Sequence, residues 1–338
     1  MQEPEDRLPI SILTGFLGSG KTTLLNKLLA HPEMGETAVI VNEFGEIGID
    51  DALVIGASDQ VLLLESGCLC CTMRGELIET LGELLSKRQQ GLVPAFVRIV
   101  IETTGLADPA PILQALMTDL LLLNHFRMGT VATVVDAVHG VRTLDEHPEA
   151  VCQVALADCL LISKTDLNPA DLAALEARLQ LLNPAAHRHA ILFGEIDPHR
   201  LFGNLQFDSA RKAADVDAWL KSYGQTAITN QADQAIESPP HHHRIRSYSI
   251  RSDVPLVWES VAEWLDDLAL VHGDRLLRVK GLLHIVGQEE PVLIQGVRKL
   301  FHPPIALPDW PDDDHSSRLV FIVQGLDRDT LLAGAPFR

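Results

Sequence analysis

The chain has 338 residues, 46% hydrophobic, 22% charged and 5% aromatic, which is the make-up of an ordinary, aromatic-poor globular protein and not that of a generally disordered one. Its 27 basic residues against 46 acidic ones leave a formal charge of −19, which repels nucleic acid and anionic membrane from most of the surface and modestly favours divalent cations. Five cysteines make no disulfide scaffold, residues 1–7 lack the basic flank and apolar core of a secretion signal, and no apolar run approaches membrane-spanning length. A cytoplasmic protein in a reducing compartment, with no nucleic-acid and no membrane partner, is therefore expected.

A chain of this length predicts two domains. Up to about residue 200, short apolar runs alternate with amphipathic stretches, the pattern of repeated β-α units and a mostly parallel sheet. Strands are predicted near 10–13, 38–41, 61–64, 97–101, 130–135 and 159–162. Helices are predicted over 22–30, over 75–87, from 109–111 to about 121, and from Asn168-Pro169 to 182, the last supported by an Asn cap with Pro in the first turn. From about 223 to 243 the composition turns polar and ends in Ser238-Pro239-Pro240-His241-His242-His243, a linker or exposed loop. Beyond it, strands near 246–250, 276–285, 292–295 and 319–323 and a helix over 257–268 bearing Trp258 and Trp264 predict a small α+β domain. The expected division is an α/β phosphate-loop domain over 1–225, a linker with the His-rich stretch over 226–243, and the α+β domain over 244–338.

Gly15-Phe16-Leu17-Gly18-Ser19-Gly20-Lys21-Thr22 fits G-x-x-x-x-G-K-[ST] and lies between a predicted strand and a predicted helix, the context this motif requires. The glycines let backbone N–H groups close around phosphates at a helix N-terminus, where the helix dipole also favours anions. Lys21 is placed to reach the β- and γ-phosphates, and Thr22 to ligate Mg²⁺.

In an open α/β sheet, ligands bind beyond the carboxyl ends of the strands. Asn42-Glu43-Phe44-Gly45-Glu46, Glu65–Cys71, Glu102-Thr103-Thr104-Gly105 and Ser163-Lys164-Thr165-Asp166 follow four predicted strands and should gather there. Glu102 ends an apolar strand, as does the acid that acts through Mg²⁺ or its waters in phosphate-loop enzymes, and Gly105 can offer its N–H to a γ-phosphate. Ser163-Lys164-Thr165-Asp166 has the form of a guanine-reading loop. The Asp166 carboxylate can accept from guanine N1–H and N2–H₂, whereas adenine presents an acceptor at N1, so GTP is favoured over ATP.

Cys68, Cys70 and Cys71 can turn two or three sulfurs toward one point, and thiolates select Zn²⁺ or Cu(I) over Mg²⁺. A tetrahedral ion needs a further ligand, for which Glu43, Glu46 and water are candidates. An incomplete cage suits a metal that is released, since structural zinc sites are usually closed. Thiol redox chemistry and inert packing are the other readings of this cluster. Cys152 and Cys159 lie in apolar surroundings and read as core residues. His241, His242 and His243 read as a solvated loop, with metal collection the sharper alternative.

Taken in order, Thr14 to Leu25, Asn42-Glu43-Phe44-Gly45, Gly67 to Cys71, Glu102 to Pro109 and Ser163 to Asp166 resemble the CobW-like family of metal-chaperone GTPases. The resemblance continues in Arg278-Val279-Lys280-Gly281, Gln295-Gly296-Val297 and Ser317 to Ile322, and so covers nearly the whole chain. It implies a GTPase that carries zinc, or another divalent metal such as cobalt, on Cys68, Cys70 and Cys71 and delivers it to a client metalloprotein. Gly18, Gly20, Lys21, Thr22 and Thr23 would then hold phosphates and Mg²⁺, with Gly15 and Ser19 in the same loop. Glu102 and Gly105 would sense the γ-phosphate, and Lys164 and Asp166 would hold guanine. Ser163 stands where many GTPases have Asn. Related GTPases also make a homodimer across the nucleotide edge an expectation, though no residue specifies one. A small-molecule kinase with structural cysteines and a non-enzymatic zinc store or sensor are the rival readings.

Overall fold

The computed structural model describes residues 7–42, 62–66, 73–167, 169–184, 186–202 and 245–337. The chain divides into two compact units, one around each of two sheets.

In the first unit the strands are β1 (Leu8–Gly15), β2 (Thr37–Asn42), β3 (Leu62–Ser66), β4 (Arg98–Glu102), β5 (Phe126–Asp136), β6 (Cys159–Ser163) and β7 (His187–Ala190). They form one sheet in the order β3-β2-β4-β1-β5-β6-β7, and every neighbouring pair is parallel. All seven carboxyl ends therefore lie on one edge. Both β4 and β6 are buried along their whole length, which is why each reads as a continuous apolar run and not as an alternating one. The pairing of β1 with β5 slips between Ile10 and Ile12, where Gly129 passes so close that a Cβ would stand 2.5 Å from Ser11 Oγ.

The helices of this unit are α1 (Lys21–Leu29), α2 (Met73–Gln89), α3 (Ala110–Thr118), α4 (Leu120–His125), α5 (Gly140–Glu146), α6 (Pro148–Leu156), α7 (Pro169–Leu182), of which Ala177 onward is grouped with the second unit, and α8 (Pro198–Phe202). Leu24, Leu25 and Leu28 of α1 pack on Leu13, Val100, Val134 and Leu161 of four strands, which seats the helix over the middle of the sheet. The single helix expected from 109–111 to about 121 is two. Asp119 adopts an extended backbone, and its Oδ1 accepts from Leu121 N (2.9 Å) and Leu122 N (3.1 Å), starting α4 anew.

The second unit contains β8 (Ile245–Ser252), α9 (Trp258–His272), β9 (Leu276–Leu283), β10 (Val292–Val297), β11 (Leu300–Phe301), β12 (Ile305–Ala306), β13 (Ser317–Gln324) and α10 (Arg328–Leu332). Its sheet is antiparallel in the order β11-β10-β9-β13-β8, with β12 on β10. One face takes Val261, Trp264, Leu265 and Leu268 of α9 against Leu276, Val279, Leu319, Phe321 and Val323. The Trp264 ring meets Phe321 edge-on at 5.6 Å, and its Nε1 donates to Leu331 O at 3.3 Å. The expected pairing of an α/β phosphate-loop domain with a smaller α+β domain holds. The polar stretch over 226–243 lies outside the described residues.

Candidate active site

Gly15 ends β1 with φ 141°, and a Cβ there would stand 2.3 Å from Val134 O on β5. The loop then turns through Ser19 N–H to Phe16 O (3.1 Å), and the Phe16 ring stacks on His147 at 4.4 Å. Gly18 (φ 71°) and Gly20 (φ 102°) both lie in the left-handed region, and no atom crowds their Cβ positions within 3.9 Å. Gly20 is the N-cap of α1 and brings no side chain to it, so the first N–H groups of the helix face the loop. Buried Lys21 folds back across this loop, its Nζ donating to Gly15 O (2.9 Å) and Phe16 O (3.3 Å). Ser19 Oγ is buried and finds no hydrogen-bond partner among the described residues. A ring of backbone amides, a lysine and a spare hydroxyl is a cradle for phosphate oxygens.

The next strand over brings the second group. Glu102 ends β4 opposite Leu13, buried, with Oε1 3.5 Å from Thr22 Oγ1. Thr103 N–H donates to Leu13 O (2.9 Å) and its hydroxyl to Thr14 Oγ1 (2.7 Å), so the segment after β4 is stitched to the end of β1. Gly105 lies flat on the phosphate loop, where an added Cβ would meet Leu17 N at 2.6 Å. Thr104 Oγ1, like Ser19 Oγ, is buried without a hydrogen-bond partner among the described residues. Sequence reasoning missed what holds this segment from behind. Gln153 of α6 is fully buried, and its Nε2 donates to Gly105 O (3.1 Å) and Ala107 O (3.0 Å).

The third group follows β6. Ser163 Oγ donates to Ser19 O at 2.6 Å, so the serine found where many GTPases have Asn bonds directly to the phosphate loop. Lys164, at φ 57°, sends Nζ to Gly18 O (2.8 Å) and to Asp136 Oδ2 (2.6 Å). Asp136 was also missed. Its other oxygen accepts from Val138 N (2.7 Å) and His139 N (3.3 Å), closing the turn after β5, and an acid ending a strand was the available signal. Asp166 stands exposed at the rim of the same loop. A cavity of about 150 Å³ lies beside the phosphate loop, lined by Phe16 and Gly18, by Asp136 at the end of β5, by Gln153 of α6 and by Lys164 among others.

The structure thus brings Gly15, Gly18, Ser19, Gly20, Lys21, Thr22, Glu102, Gly105 and Lys164 together on one edge of the sheet, with Thr23 in the first turn of α1 and Asp166 at the rim. Cys68, Cys70 and Cys71 lie outside the described residues, as do Glu43, Glu46 and His241 to His243. The strand before the cysteines, β3, ends at Ser66 opposite Asn42 of β2. Cys152 and Cys159 are buried. Burial, and after it the charge of Asp158, pushes the Cys159 thiol up to about 12, so it remains protonated at neutral pH and makes a poor metal ligand. Among the described residues, one group of ligating atoms falls within 4.8 Å, from Glu33, Asp197 and His199. They are committed to each other: His199 Nε2 lies 2.9 Å from Glu33 Oε1, and Asp197 Oδ1 accepts from His199 N at 2.9 Å.

A parallel sheet whose central strand feeds a glycine loop and a Lys-Thr helix start defines a phosphate-loop nucleotide-binding protein. The chain belongs to the CobW/HypB/UreG family: residues 9–190 match its nucleotide-binding domain, and residues 245–334 match the cobalamin synthesis protein cobW C-terminal domain. It is 34% identical over 315 residues to the zinc chaperone YjiA of Escherichia coli K12, covering 93% of each chain. It is 33% identical over 351 residues to the zinc chaperone CobW of Pseudomonas aeruginosa, covering 95% of this chain and 89% of that one. The crystal structure of the Zn(II)-bound YjiA GTPase from E. coli superposes with a TM-score of 0.72 at 29% identity, over 98% of this chain and 99% of that one.

Proposed function

We propose that the chain is a GTP-hydrolysing metal chaperone that binds zinc at Cys68, Cys70 and Cys71 and passes it to a client metalloprotein, with metal affinity coupled to GTP binding and hydrolysis. The observation that carries the nucleotide half is the meeting of three strand ends: Lys21 across the loop carbonyls, Thr22 Oγ1 3.5 Å from Glu102, and Lys164 on Gly18 O. The metal half is supported by likeness along almost the entire chain to proteins named zinc chaperones, together with a thiolate cluster beside this edge in sequence.

In this reading the α1 N-terminus, the N–H groups around Gly18 and Gly20, and the hydroxyls of Ser19, Thr22 and Thr23 bind phosphate. Lys21 leaves its carbonyl partners for the β- and γ-phosphates. Thr22 and Glu102, whose Oγ1 and Oε1 lie 3.5 Å apart, are the hard oxygen pair that would hold Mg²⁺, which would supply positive charge against that of the phosphates. Gly105 presents its N–H toward the γ-phosphate while Gln153 fixes its carbonyl from behind. Asp166 accepts from the guanine edge, and the Lys164 stem lies along the base. GTP shifts the segments after β2, β3 and β4, and the cysteine cluster between β3 and α2 changes its metal affinity with them. Cobalt is a second metal that such thiolates accept.

The domain limits we take are 1–225, 226–243 and 244–338. We place the protein in the cytoplasm; no helix among the described residues is long and apolar enough to cross a membrane. A homodimer formed across the nucleotide edge belongs to the same proposal.

Zinc competition on the reduced protein, with GTP, GDP or no nucleotide, tests the coupling. A tenfold difference corresponds to only about 1.4 kcal/mol. Equal zinc affinity in all three states overturns the coupled-chaperone reading. Hydrolysis that survives Lys21→Ala overturns the site.

A further inference from the structure

The segment after β7 carries a feature that the roles above leave unused. Strands β6 and β7 run side by side with Ile162 opposite Ala190, and Ile191 N–H donates to Ile162 O at 2.8 Å. Residues 191–195 therefore leave the sheet beside Ser163 to Asp166, on the same edge. There the chain folds back over the start of α1. Gly194, at φ 75°, lies so close that a Cβ would stand 2.9 Å from Thr23 O and from Leu24 Cα, and Glu195 N–H closes the turn on Leu192 O at 2.9 Å.

Between these anchors stands Phe193, with φ 51° and 73% of its surface exposed. A left-handed backbone is unfavourable for a bulky residue, and an exposed ring gains nothing from burial. Both costs are borne at one position, in a turn that packs on the first turn of α1 through Gly194 and follows β7 on the edge that also carries Lys164 to Asp166. Strain that the surrounding structure imposes on an otherwise idle side chain points to a ligand.

We propose that Phe193 is a stacking wall of the nucleotide site, its ring lying on the face of the base whose edge Asp166 reads. This rests on the nucleotide reading above and adds a division of labour to it. A ring stacks on any base, so Phe193 supplies affinity and Asp166 supplies choice. The close approach of Gly194 to α1 holds the turn that carries Phe193 beside the start of the phosphate-binding helix.

The experiment compares wild type, Phe193→Ala, Phe193→Trp and Phe193→Gly in calorimetric binding of GDP, ADP and inorganic triphosphate, the last as a probe with no base. Base–aromatic stacking predicts a loss of about five- to a hundredfold for GDP in Phe193→Ala and Phe193→Gly. Phe193→Trp restores binding, and triphosphate and zinc affinities stay unchanged. Phe193→Gly, which suits φ 51°, melts no lower than wild type. The proposal is overturned if Phe193→Ala binds GDP within twofold of wild type, or if it loses GDP and triphosphate equally. A wild type that prefers ADP to GDP sinks the guanine assignment alone; a tenfold ADP loss in Phe193→Ala then still supports the stacking wall.

Discussion

Gly105→Ala is the smallest perturbation that separates nucleotide binding from turnover. The added methyl would stand 2.6 Å from Leu17 N and 2.8 Å from Leu17 Cα, both backbone positions of the phosphate loop that no rotamer change can clear. Reaching ordinary contact at 3.4 Å needs a separation of about 0.8 Å (3.4 − 2.6). The phosphate loop is pinned by Ser163 Oγ and Lys164 Nζ, so the yielding partner is the segment after β4, which gives up part of its hold on Gln153. Overpacking of this kind costs about 1–3 kcal/mol, and a displacement near 1 Å at a reacting centre costs up to about a hundredfold in rate. The expected result is a fall in GTP turnover of roughly ten- to a hundredfold, with GDP affinity changed by less than about threefold because GDP has no γ-phosphate to sense. Steady-state phosphate release and GDP titration read the two quantities. Wild-type turnover in Gly105→Ala, with unchanged melting, would refute the idea that this segment must lie on the loop.

Two further outcomes follow, one from this site and one from the second unit. Gln153→Leu keeps the volume but leaves Gly105 O and Ala107 O without their donor, so the protein should lose about 1–3 kcal/mol in chemical unfolding, and turnover should fall more than GDP affinity; an unchanged unfolding midpoint would contradict this. In the second unit, burial pushes the Asp314 carboxyl up, but the hydrogen bond from Ser316 N–H (3.1 Å) and the charges of Arg318 and Arg251 outweigh it and hold the group below the usual carboxylate range. A depressed folded value means that the stabilisation is present above the unfolded pKa of about 3.9 and is lost as pH falls below it. Asp314→Asn should therefore flatten the acid limb of the stability curve below about pH 4 while lowering stability at pH 7, as followed by thermal melts across pH; an identical acid limb would refute the assignment.

The parts of the fold legible in the sequence were those with local chemistry. Strands β4 and β6 are buried on both faces and read as apolar runs, and the glycine spacing of 15–20 has few other uses. Strand β7, His-Arg-His-Ala, was not read because it is a short edge strand with little burial and hence no apolar signal. The short helices α5 and α6 span fewer than three turns each and left no periodicity to follow. Asp119 looked like one more polar residue within a helix, and only its side-chain bonds to two amides show a cap. Gln153 and Phe193 were invisible for a different reason. Gln153 acts on backbone carbonyls 46 and 48 residues away, and Phe193 is set by a backbone conformation, so neither leaves a local pattern.

The Lys164–Asp136 ion pair has a consequence for how a nucleotide arrives. A loop lysine with its charge already matched at 2.6 Å presents little net attraction to an incoming polyanion. Capture then depends on Lys21, itself folded inward over carbonyls, and on the dipole of α1, within a chain whose formal charge is −19. Long-range electrostatics should thus oppose approach even though the site favours phosphate at contact. Added salt, by screening that repulsion over distances beyond about 10 Å, should quicken association where a basic cleft would be slowed.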